Sequence, residues 1–149
     1  MRLAVLLLVV MLGACGPKGK TGPGTGSANA PKTLYDRLGG RDALIGLVED
    51  FLANVAADKR IAPFFQGVDS QGLRQKLVDQ LCELAGGPCK YTGRDMRTMH
   101  DGMAISEEHW AAFVEDLKKS LDKFKVAEPE AKDLLAIIAK MHDQIVSAK

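Results

Sequence analysis

Apolar residues recur at three- and four-residue spacing along nearly the whole chain beyond residue 33, and that rhythm restricts what it can fold into. From Arg41, the residues Leu44, Ile45, Leu47, Val48, Phe51, Leu52 and Val55 follow it, which predicts an amphipathic helix. Leu73, Leu77, Leu81 and Leu84 predict one face of a second helix, capped by Asp69 or Ser70 and ended by Gly86-Gly87-Pro88. Ser106 caps a third, with Glu107 and Glu108 favourable in its first turn and Trp110, Phe113, Val114, Leu117 and Leu121 along it. Pro129 opens a last helix that should run through Leu134, Leu135, Ile137, Ile138 and Met141 to Ile145. Short helical pieces are expected at Leu34–Leu38 and Asp95–Asp101, and a tight corner at Pro63-Phe64-Phe65. No alternating apolar and polar run of useful length occurs, so the fold class is all-α.

The amino-terminal end reads differently. Met1 to Ala14 is apolar except for Arg2, and it runs into Leu12-Gly13-Ala14-Cys15. The stretch is shorter than the roughly 20 residues a membrane span needs. Small residues directly before a cysteine resemble a bacterial lipobox, which implies a signal peptide over residues 1–14 and lipidation of Cys15. The alternatives are an ordinary secretory signal cut near Ala14, or a buried helix. Residues 16–32, GPKGKTGPGTGSANAPK, bury too little to offset the entropy of ordering and read as a flexible linker. A single domain of about 115 residues, 33–149, is left, near the usual domain size. Loss of Arg2 with the signal takes the formal net charge from +1 to 0. A neutral domain with interspersed charges gives no support for nucleic-acid binding. Gly16, in place of an aspartate after the lipidated cysteine, favours an outer-membrane anchor with the domain facing the periplasm.

With Cys15 lipidated, Cys82 and Cys89 remain. In an oxidising compartment they are candidates for a disulfide if the glycine turn between them brings their Cα atoms within about 7 Å; two separate thiols are the alternative. The other reactive groups are few. There is no phosphate loop, no HExxH and no serine-histidine-aspartate arrangement with a glycine turn. His100 stands among Met96, Met99 and Met103. A soft apolar nest around one imidazole suits the face of a large flat cofactor, and it also suits a plain core. His109 is expected solvated in the first turn of its helix, and His142 at the surface or a helix end.

Five blocks in order, Leu34-Tyr35-Asp36-Arg37-Leu38-Gly39-Gly40, Pro63-Phe64-Phe65, Leu84-Ala85-Gly86-Gly87-Pro88, Tyr91-Thr92-Gly93-Arg94-Asp95-Met96 and His100-Asp101-Gly102 with Ile105 close behind, resemble a group 1 truncated haemoglobin. The resemblance covers Thr33 to about Val146. It implies a two-over-two helical sandwich holding haem b (iron protoporphyrin IX). His100 matches the proximal ligand to the iron, and Phe65 the phenylalanine against the haem face. Lys76 matches a position at the haem edge that can pair with a propionate. Leu73, Leu77, Met96 and Ile138 complete the expected haem-binding set. The glycine pairs Gly39-Gly40 and Gly86-Gly87 match turns that need positive φ.

The distal side departs from the family pattern. Many members place a tyrosine and a glutamine there to donate hydrogen bonds to the gas. The matching positions are Leu52 and Leu77, and Leu73 lies one turn before Leu77. A hydrogen bond to a charged acceptor is worth about 1.5–3 kcal/mol. Its loss should speed oxygen release roughly 10- to 100-fold. Gln80 can supply a donor if it turns inward; otherwise it is a solvent-facing glutamine. The expected function is binding of a diatomic gas (oxygen, nitric oxide or carbon monoxide) at a pentacoordinate iron, for sensing or scavenging at the cell envelope. Nitric oxide dioxygenation is the alternative, and it needs an external reductase.

Overall fold

The computed structural model describes residues 31–147, and the signal peptide, Cys15 and almost all of the linker lie outside the described residues. The described chain is helical, with no strand. Its elements are α1 (Leu34–Arg37), α2 (Gly40–Ala57), a 3-10 turn (Ala62–Phe65), α3 (Ser70–Leu84), α4 (Met96–His100), α5 (Glu107–Lys123), α6 (Glu128–Ala139) and α7 (His142–Ile145). No helix among the described residues is long and apolar enough to cross a membrane.

Local chemistry sets where these helices begin. Thr33 caps α1 in a reciprocal box with Asp36, Asp69 caps α3, Asp95 caps α4 and Ser106 caps α5. Each cap gives an otherwise unpaired amide at the helix start an acceptor. Between α1 and α2 the chain reverses through Gly39 and Gly40 at φ +97° and +77°, which glycine alone adopts at little cost. The second pair divides the labour. Gly86 has φ +82°, whereas Gly87 lies outside the positive-φ region and is required for close approach, since a Cβ there would sit 2.7 Å from both Cys82 Sγ and the Tyr35 ring.

The helices pair as a two-over-two sandwich. α2 packs against both α3 and α5, and α5 against α6. Leu44, Leu47, Val48, Phe51 and Val55 from α2 meet Val78, Leu81 and Cys82 from α3, Ala112, Leu117 and Leu121 from α5, and Leu134 and Ile138 from α6. α1 is fastened at two places. The Tyr35 amide donates to the Ala85 carbonyl at 2.9 Å, and Arg37 reaches Glu130 at 2.8 Å and Asp133 at 2.6 Å on α6.

One expectation is corrected. The last helix does not run unbroken to Ile145. At Lys140 and Met141 the amides bond three residues back, to Ile137 and Ile138, which tightens the chain into a turn before α7. Leu73, Leu77, Leu81 and Leu84 do lie within about 80° of one another on α3, one face as expected, but that face is unevenly buried. At about 100° per residue, Leu73, Leu77, Gln80 and Leu84 share one stripe, with Val78 and Cys82 well over a third of a turn away and Leu81 between. The stripe centred on Val78, Leu81 and Cys82 is buried against the core, while Leu84 is 43% exposed. α3 is therefore apolar around more than half of its circumference, with Leu77 also packed against the core.

Candidate functional site

The segment that follows α3 is pinned to it before it enters α4. A disulfide joins Cys82, fully buried on α3, to Cys89, with 5.7 Å between Cα atoms. Arg41 on α2 donates to Cys89 Sγ at 3.1 Å and to Asp79 at 2.9 Å. Glu83 accepts from the Tyr91 amide at 3.0 Å and from Lys90 at 3.2 Å, and the Tyr91 amide contact in particular holds its carboxyl below the usual range. Lys76 donates to the Thr92 hydroxyl at 2.6 Å, and the Tyr91 hydroxyl donates to the Arg94 carbonyl at 2.8 Å. Asp95 then caps α4 through the Thr98 amide at 2.9 Å. The α3 scaffold in this way dictates where the five residues of α4 sit.

His100 is the last residue of α4 and is half-buried. Its Nδ1 lies 2.7 Å from the Met96 carbonyl oxygen. A carbonyl can only accept, so Nδ1 carries the hydrogen, and in the neutral ring the lone pair is on Nε2. The hydrogen bond fixes both tautomer and ring orientation, as second-shell partners of metal-binding histidines do.

Gln80 faces inward. Only 9% of it is exposed, and its amide nitrogen donates to the sulfurs of Met96 at 3.4 Å and Met141 at 3.7 Å. This corrects the solvent-facing reading. Three segments distant in sequence, α3, α4 and the α6–α7 turn, meet at this one amide. Met141 was missed as a site residue because it reads only as one more apolar position in a helix; its value as a thioether acceptor depends on the turn that brings it inward.

Of the remaining predicted residues, Leu73 and Leu77 are half-buried on the second stripe of α3, and Leu52 is half-buried on α2 beside the core. Phe65 is half-buried on the 3-10 turn, and Ile138 is 4% exposed within the core itself. His109 is less solvated than expected, whereas His142 stands at a helix end as expected. His109 accepts from the Ser106 amide at 3.1 Å, completing the α5 cap, and its ring meets Phe64 edge-on at 4.8 Å. His142 lies between Asp143 and Glu107, with its ring edge-on to Trp110 at 5.2 Å. Among the described residues no group of three or more histidine, cysteine or acidic side chains is arranged to hold a bare metal ion. A lone imidazole whose tautomer is fixed by the Met96 carbonyl suits an iron that arrives already held by a flat macrocycle.

The model of the bacterial-like globin family matches residues 33–147. The chain belongs to that family. This globin is 32% identical over 119 residues to a group 1 truncated haemoglobin, GlbN, from Mycolicibacterium paratuberculosis, covering 80% of this chain and 88% of that protein. It is 33% identical over 110 residues to the group 1 truncated haemoglobin of Tetrahymena pyriformis, covering 74% and 91%. The Fe(III) crystal structure of truncated haemoglobin from T. pyriformis superposes on the globin with a TM-score of 0.75 at 29% identity, over 78% of this chain and 99% of that one. Haem-based binding of diatomic gases is the family's activity, and the geometry of His100 and α3 fits the cofactor.

Proposed function

We propose that this globin holds haem b on His100 and takes a diatomic gas at a pentacoordinate iron, in an apolar distal pocket lined by Leu52, Leu73 and Leu77. The observation that carries the reading is the 2.7 Å contact from His100 Nδ1 to the Met96 carbonyl, which leaves Nε2 as the metal-binding nitrogen. When bound, haem supplies the iron that takes the gas. The chain's own residues do the rest. His100 orients and retains the iron, Met96, Phe65 and Ile138 pack around the macrocycle, and the leucines keep water out. Lys76, at the rim of α3 beside Thr92, stands where a cation can pair with a propionate.

Leucine offers no hydrogen to a bound gas, so the pocket favours ligands that depend least on such a donor. Nitric oxide and carbon monoxide suit it better than oxygen, and sensing or scavenging suits it better than storage. A lipid on Cys15 would tether this activity at the cell envelope, in the outer membrane with the domain facing the periplasm. An external reductase would keep the iron ferrous.

Leu52→Tyr tests the pocket. Restoring a donor at that position should slow oxygen release by about 10- to 100-fold while changing carbon monoxide release little, both read by stopped-flow absorption. An unchanged oxygen rate would remove Leu52 from the distal pocket.

A further inference from the structure

His142 opens α7, and both of its ring nitrogens face carboxylate oxygens. Nδ1 lies 2.7 Å from Asp143 and Nε2 lies 2.9 Å from Glu107, the first residue of α5. Ionised carboxylates only accept hydrogen bonds, and a neutral imidazole has a single N–H. The observed arrangement is therefore that of the imidazolium. Neutralising the ring would turn a nitrogen lone pair toward one of the two carboxylates and break that contact.

What this histidine ties down adjoins the segments that carry His100 and Gln80. α7 packs against α4, the helix that ends in His100. The Ser147 amide, just after α7, donates to the carbonyl of Ile105 at 3.0 Å, in the segment joining His100 to α5. Met141, immediately before His142, is one of the two sulfurs that receive the Gln80 amide on α3. An open pocket of about 640 Å³ lies where the start of α5 meets α7 and the residues after it, lined by Glu107, His142, Asp143 and Ser147 among others.

We propose that His142 is a proton-operated latch: protonated, it clamps α7 and the strap through Ser147 onto α5 and α4, and neutral, it releases them. The ionisable groups on the elements around it are Glu107 and Glu108 on α5, Lys140 and Asp143 next to it along the chain, and Arg97, His100 and Asp101 on or beside α4. Among the described residues, only Glu107 and Asp143 bond to the ring. Asp143, and then Glu107, raise its pKa above the ordinary 6.5. A raised value in the folded state means that the clamp is complete below pH 6.5 and is lost as pH climbs through the folded value. A mildly acidic compartment tightens the proximal side of the site, and an alkaline one loosens it. That consequence for the iron rests on the haem reading, whereas the clamp does not.

The test is amide hydrogen exchange at Ser147, measured from pH 6 to 9 in the haem-loaded carbon monoxide form and corrected for intrinsic base catalysis. Protection should be about two- to fivefold greater at pH 6 than at pH 9, the factor that a partly exposed ion pair supports. His142→Gln should abolish the step, and Glu107→Gln, a conservative change at an exposed side chain, should move its midpoint to lower pH. A step that persists in His142→Gln, or its absence from the unaltered protein, would overturn the latch. If the protein takes up no haem, the same amide still reports on the clamp, so the two readings fail separately.

Discussion

Gln80 shows how much one side chain can hide. Its neighbours at three- and four-residue spacing, Leu73, Leu77 and Leu84, mark it as a member of an apolar stripe, yet its own polarity argues for solvent. Which side wins depends on Met96 and Met141, which lie 16 and 61 residues further along the chain. Thioethers are weak acceptors, so the buried amide recovers little of its desolvation cost. Replacing it with an apolar side chain of similar length should be nearly neutral. We expect Gln80→Met to change the free energy of unfolding, measured in denaturant, by less than about 1 kcal/mol. A loss above about 2 kcal/mol would show that the amide has a stronger partner than sulfur. His100 drew notice by contrast through a local pattern, since three methionines stand around it in sequence, a setting that suits a cofactor face and a plain core alike. The roles of His109 and His142 were not legible, since a cap and a two-carboxylate clamp arise only once helices are placed.

Helix starts were easier to read than helix faces. Asp69 and Ser106 cap the helices they precede because a short polar side chain and the amides it serves are within three residues of each other. How deeply each leucine of α3 is buried was not legible in the sequence, because leucine serves a protein core and a cofactor pocket equally well. The break after α6 was missed for a related reason, as nothing apolar or polar in Lys140-Met141 distinguishes a turn from another helical step. Carboxylates fasten several of these elements. Asp58, bonded mainly to Arg60, is lowered to about 2, and Asp50 beside Lys123, Asp79 beside Gln75 and Asp95 at the α4 cap are lowered as well. Depressed values in the folded state give stability that is complete above about pH 4 and is lost as pH falls through the folded values. Thermal unfolding should thus show little change from pH 7 to 5 and a progressive loss from pH 4 toward 2. Asp58→Asn should make that acid limb shallower; an identical limb in the variant would remove Asp58 from the set.

At the scale of the molecule, the all-α class was legible because the long helices carry a periodic signature, and the two-over-two arrangement because five ordered blocks resemble a known family; the break before α7 was not. What the whole chain adds is a short path from scaffold to site. The Cys82–Cys89 bond, Glu83 and Lys76 all tie the segment before α4 to α3, so the placement of His100 depends on that connection. Opening a disulfide of this loop length costs about 2–3 kcal/mol on the chain-entropy account. Cys82→Ser with Cys89→Ser should lower stability by that amount and weaken haem retention in the same variant. Stability lost with unchanged retention would separate the staple from the site. The central claim is that His100 alone holds the iron from the protein side, and its most direct measurement is the absorption spectrum of residues 16–149 with haem in ferric, ferrous and carbon monoxide forms, beside His100→Gly. The account predicts a five-coordinate ferrous spectrum that is lost in the variant and restored by added imidazole. A six-coordinate ferrous spectrum, or a spectrum unchanged in His100→Gly, would contradict it.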